Sequence, residues 1–75
     1  MSRKLPALKA KDVLRALQRA GFTVHHTTGS HYILRHAEKS LRVTLPLHNK
    51  DLKRGTLGSI IEQSGLTLDQ FVELL

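Results

Sequence analysis

The sequence predicts an α+β domain in which a helix, a three-strand antiparallel meander and a helical C-terminal third form an α-β-β-β-α sandwich with a short extra helix at the end. Three observations carry this prediction. Apolar residues recur at three-and-four spacing near the start and again after Pro46, the period of an amphipathic helix. Between these segments lie three short strand-like runs, two of them with the alternation of half-buried strands. The breaks between the runs are short and polar, which suits hairpin connections. At 75 residues the chain is expected to be one domain over residues 1–75. A chain of this size buries only about 60% of its unfolded surface. Helices then cover one face of the meander, and the other is left open for a binding or reactive surface.

In the first helix, residues 10 to 20, the apolar positions are Ala10, Val13, Leu14, Leu17 and Ala20. Asp12 sits where a helix N-terminus favours negative charge, and Gly21 is a natural residue to follow the helix. Lys9, at its start, is a poor N-cap. On the opposite face Lys11, Arg15 and Arg19 recur every fourth residue, which stacks three cations in one stripe. Such a stripe serves as a solvated face or as a track along a phosphate backbone.

The first strand, residues 22 to 27, alternates with Phe22 and Val24 on one side, and Thr28 and Gly29 make the turn. The second, residues 30 to 36, is ambiguous: Tyr32 and Leu34 share one face, while Ile33 shares the other with His31 and Arg35. After the polar run from 37 to 40, residues 41 to 45 direct Leu41, Val43 and Leu45 one way and Arg42 and Thr44 the other. Pro46 is expected to end the sheet because it cannot donate to a ladder. Beyond it, Leu57, Ile60 and Ile61 form a helical stripe closed by Gly65. Thr67 and Gln70 then have the spacing of a capping box, and Leu66 and Phe71 that of a hydrophobic staple. They predict a short last helix that folds Phe71, Leu74 and Leu75 back onto the core.

Composition narrows the function. Twelve Lys and Arg against six Asp and Glu leave a charge of +6. All twelve cations fall in residues 1–54, whereas residues 55–75 carry only Glu62, Asp69 and Glu73. A basic body suits a nucleic-acid partner, though many small soluble domains share it. The absence of cysteine excludes disulfides and thiolate chemistry. No apolar run approaches the ~18 residues that span a bilayer, and the apolar part of MSRKLPALKA is too short and broken for a signal sequence. The expected setting is the cytoplasm, with no membrane partner.

Five histidines raise the question of a metal. His25, His26, His31, His36 and His48 lie on different strands and loops, with neither paired cysteines nor a His-Glu-x-x-His pattern among them. Neither a metal nor a cofactor is expected. Ser30 and His31 are adjacent and would point to opposite faces of a strand, so they do not make a nucleophile pair. A P-loop pattern is absent as well. What remains is an imidazole at the mouth of a strand, after a glycine, in a basic domain. Imidazole suits proton transfer near neutral pH, and RNA carries its own nucleophile in the 2′-hydroxyl. A ribonuclease therefore needs only a base, an acid and cations. From the residues alone, a surface histidine in a turn remains the simpler account of His31.

The stretches AKDVLRALQRAGF, TGSHYIL and VTLPLHNKDLKRGTLGSIIEQSGL, in this order, resemble the HicA toxins of bacterial toxin–antitoxin systems. The resemblance runs from about residue 9 to 66 and rests on Gly29-Ser30-His31, on Pro46-Leu47-His48 and on the run from Leu52 to Leu57. It implies a fold like the double-stranded-RNA-binding domain and an mRNA-cleaving endoribonuclease held inactive by a HicB-type antitoxin. It also implies that the histidine of the Gly-Ser-His motif, His31, is catalytic. Gly29 and Ser30 would support it, and His48 is either an assistant or a residue that shapes the turn. The candidate RNA-binding surface is Lys11, Arg15, Arg19, Arg35, Lys50, Lys53 and Arg54. The toxin is expected to be a monomer alone and a hetero-oligomer with its antitoxin. The chain departs from the family pattern in the 37–40 loop, where a Pro-Asp-Gly turn is common, and at Lys9, where a cap such as Ser is common. Residues 67–75 are less characteristic. A reading from another class is a non-catalytic double-stranded-RNA-binding module, which would tolerate loss of His31.

Overall fold

The computed structural model describes residues 5–47 and 50–75. Its elements are α1 (Ala10–Arg19), β1 (Phe22–Thr28), β2 (His31–His36), β3 (Arg42–Pro46), α2 (Arg54–Ser64) and α3 (Leu68–Glu73). The strands form one antiparallel sheet in the order β1-β2-β3. This is the predicted α+β architecture, and the extra C-terminal helix is present.

Helix α1 begins without a side-chain acceptor, because the Lys9 ammonium has none to offer. Only the returning half of a capping box forms: the Lys9 amide donates to Asp12 Oδ2 at 3.0 Å. Helix α2 runs to Gly65, which takes the left-handed conformation at φ 75°. Helix α3 has both halves of its box, with the Gln70 amide donating to Thr67 Oγ1 at 3.1 Å and the Thr67 amide to Gln70 Oε1 at 2.9 Å.

The core lies between the helices and one sheet face. Val13, Ala16 and Leu17 from α1 meet Phe22, Leu34, Val43 and Leu45 from the sheet, with Leu57 and Ile60 from α2 and Phe71 from α3, all buried. Burial resolves the ambiguity of the second strand. Leu34 is fully buried and Tyr32 packs on the core, so His31, Ile33 and Arg35 take the opposite, open face. Val24 belongs to the core side but stays 38% exposed, because β1 is an edge strand.

Pro46 ends β3, but not by costing the ladder a bond. It lies opposite His31 as the last residue of β3, and the Leu47 amide still donates to the Ser30 carbonyl at 2.6 Å. Alternation explains this. The Thr44 amide points off the free edge, where Gln63 Oε1 of α2 accepts it at 3.0 Å. Two residues on, the nitrogen of Pro46 faces the same way, so its missing hydrogen costs no ladder bond.

Candidate functional site

The topology gathers three features at one end of the sandwich. The β1–β2 turn is Gly29-Ser30, between the paired residues Thr28 and His31. Gly29 has φ +53°, and no atom lies within 4 Å of the place its β-carbon would occupy, so the turn demands glycine for its backbone and not for space. His31 opens β2 there, half-buried, paired with Thr28 on one side and Pro46 on the other. Helix α2 runs back along β3, since Gln63 near its end holds Thr44 and Leu41 packs over Gly65. Its N-terminus therefore lies toward the Pro46 end. The α1 N-terminus joins it, because the Leu52 amide donates to the Leu8 carbonyl at 2.8 Å. Both helix dipoles thus direct their positive ends to the His31 end. At α2 no side chain caps the N-terminus and no acid sits in the first turn.

The expected basic residues divide accordingly. Lys50, Lys53 and Arg54 are exposed and lie at the His31 end, and Lys11 is in the first turn of α1 nearby. Arg15 is exposed in mid-helix. Arg19 lies at the far end of α1, about 12 Å along the axis from Lys11, where its Nη1 donates to the Leu74 carbonyl at 2.7 Å. Arg35 is on the open face but about 13 Å along the strand from His31, directly opposite Arg42. His48, expected to be either an assistant or a residue that shapes the turn, lies outside the described residues.

The open face holds something the sequence reading did not find. The register of β1 shifts between Val24 and His26, a bulge that places His25 and His26 against the single residue Ile33. Val24 faces the core and His26 pairs with open-face Ile33, so both histidines project from the open side. Their Nδ1 atoms are 2.7 Å apart and their ring centroids 5.0 Å. His31 shares this face, two residues from Ile33 on β2. The adjacency His25-His26 was visible in the sequence, but an unbroken strand would have sent the two rings to opposite faces. His36, by contrast, serves the scaffold, as its three hydrogen bonds to backbone attest. Among the described residues no group of three histidines or carboxylates is arranged to hold a metal ion, and no helix is long and apolar enough to cross a membrane.

A model of the family described as the HicA toxin of bacterial toxin–antitoxin systems matches residues 10–66. No curated protein matches the chain. The matched span runs from the start of α1 to just past α2, taking in the whole sheet, the Gly-Ser-His turn and the basic α2 N-terminus. The chain belongs to the HicA toxin family and is the toxin partner of an antitoxin.

Proposed function

We propose that this toxin is an endoribonuclease that cleaves mRNA without a metal, with His31 as a catalytic proton-transfer residue. The observation that carries this reading is the position of His31. It stands on a strand paired on both sides, at the end where two helix N-termini converge with Lys50, Lys53 and Arg54. A rigid strand holds the imidazole in a fixed orientation, and the cations and helix dipoles favour a phosphate backbone at that end of the sandwich.

The chemistry balances without a covalent enzyme intermediate. The RNA 2′-oxygen attacks the neighbouring phosphorus as its proton passes to an imidazole. The bond from phosphorus to the 5′-oxygen then breaks, and that oxygen takes a proton from a second group. The products are a 2′,3′-cyclic phosphate and a free 5′-hydroxyl.

The test is cleavage of RNA by purified protein in the presence of EDTA, compared with His31→Ala. The variant should lose activity by about 10²–10⁴-fold while keeping its fold and most of its RNA affinity, since cations supply the latter. Folded His31→Ala that cuts at the wild-type rate would leave the non-catalytic RNA-binding module as the better account.

A further inference from the structure

Cleavage through the 2′-hydroxyl needs two proton transfers, and His31 accounts for one. The second group must lie on the same face as His31, far enough away to admit a phosphodiester between them. His26 meets both conditions. It pairs with Ile33, and His31 lies two residues from Ile33 on the same open face. Diagonal neighbours of this kind lie about 7–8 Å apart, with their β-carbons somewhat closer. That separation leaves room for a phosphate with a hydrogen bond of about 2.6–3.2 Å on either side.

The contact between the two neighbouring rings sharpens the assignment. Two Nδ1 atoms at 2.7 Å attract only if one carries a hydrogen and the other a lone pair. The ring that donates through Nδ1 makes the same bond whether its Nε2 is protonated or bare. Its orientation is therefore held while a proton comes and goes at Nε2. Among the described residues neither Nε2 has a protein partner, so both are free to meet a substrate.

We propose that His26 is the general acid of the cleavage, giving a proton from Nε2 to the leaving 5′-oxygen while His31 takes the 2′ proton, and that His25 is a positioning residue that holds the His26 ring through Nδ1. The proposal rests on the ribonuclease reading. In the step, the bond from the 2′-oxygen to phosphorus forms and the bond to the 5′-oxygen breaks. One proton goes to His31 and one leaves His26, and water later exchanges them. The β-bulge is the structural device, because only the extra residue brings His25 onto the face that His26 occupies.

The experiment uses two RNAs of one sequence, a natural one and one with sulfur in place of the bridging 5′-oxygen at the mapped cut site. A thiolate leaves without a proton, so the sulfur substrate needs a base but no acid. Enzyme in excess is assayed on both. His26→Ala should cleave the natural RNA about 10²–10⁴-fold more slowly than wild type and the sulfur RNA within a few-fold of it. His31→Ala should be slow on both. His25→Ala should show a smaller loss confined to the natural RNA, and His25→Asn, whose amide oxygen can accept from Nδ1, should recover part of it. Circular dichroism verifies each fold, and His26→Gln stands in should His26→Ala unfold. The assignment is overturned if His26→Ala matches wild type on natural RNA, if it is equally slow on both substrates, or if His48→Ala shows the selective loss instead. Wild-type protein inert on both RNAs, or a fully active His31→Ala, would overturn the ribonuclease reading itself.

Discussion

His36 Nε2 donates to the carbonyl oxygen of Ala20 at 3.0 Å, while Nδ1 of the same ring accepts the amides of Glu38 and Lys39 at 3.0 and 3.1 Å. The acceptor role of Nδ1 and the carbonyl at Nε2 leave one neutral tautomer that satisfies all three bonds. One ring thus ties the end of α1 to the loop between β2 and β3, which explains how residues 37–40 turn without a Pro-Asp-Gly sequence. It also meets Phe22 edge-on, with centroids 5.1 Å apart.

Replacing this ring should weaken the fold and leave the chemistry alone. His36→Ala should lower stability by about 2–3 kcal/mol, from three lost bonds and one aromatic contact. Gly21→Ala should do likewise, because Gly21 has φ +102° and a β-carbon there would lie 2.7 Å from His36 Nε2. Urea denaturation measures both, and an unchanged midpoint would show that the ring is dispensable.

The last helix lies beyond the matched family span yet completes the core. Phe71 is fully buried, so Phe71→Ala should cost about 3–5 kcal/mol, enough to leave a domain of this size marginal. Thr67→Ala, which removes half of a capping box, should cost about 1 kcal/mol. Equal denaturation midpoints for Phe71→Ala and wild type would mean that α3 does not stay docked.

If RNA lies along the His31 end, its affinity should fall steeply with salt, and the cations should not contribute equally. Lys53→Gln and Arg54→Gln should each reduce the slope of log affinity against log salt by about one unit. Arg19→Gln should leave the slope unchanged and lower stability instead, since Arg19 Nη1 already serves the Leu74 carbonyl. A salt titration in which Arg19→Gln flattens the slope would move the RNA to the helix face.

The cleavage products bear on the identity of the nucleophile. RNA fragments should end in a 2′,3′-cyclic phosphate or its hydrolysis product, and a single 2′-deoxy residue at the cut site should block the reaction. Efficient cutting of that substrate would mean that water attacks instead.

The antitoxin is expected to present an acidic surface to the His31 end, since a positive surface is met fastest by a complementary one. Association should slow as ionic strength rises, and His31 should become protected from chemical modification in the complex. A complex in which His31 still reacts at the free rate would mean inhibition by another route than covering it.

The sequence by itself determined which segments are helix and which are strand, because these are short-range matters of period, cap and turn. The three-and-four spacing of Val13, Leu14 and Leu17 and the box at Thr67 and Gln70 each lie within one or two turns of chain. The Gly-Ser-His turn was legible for the same reason, and resemblance supplied the expectation that His31 is catalytic. What the sequence could not determine were relations between residues far apart along it. The face of β2 depended on which side the helices covered, since both Ile33 and Leu34 are apolar. Whether Pro46 cost the sheet a ladder bond depended on which edge its nitrogen faced. Likewise, the cations were equivalent as letters until the packing of α1 and α2 put Lys53 and Arg54 at the end of the sandwich where β2 begins and gave Arg19 to Leu74. The bulge at His25 is the plainest case: one extra residue is defined only against a partner strand, and a shift of one position reverses the face of every side chain that follows.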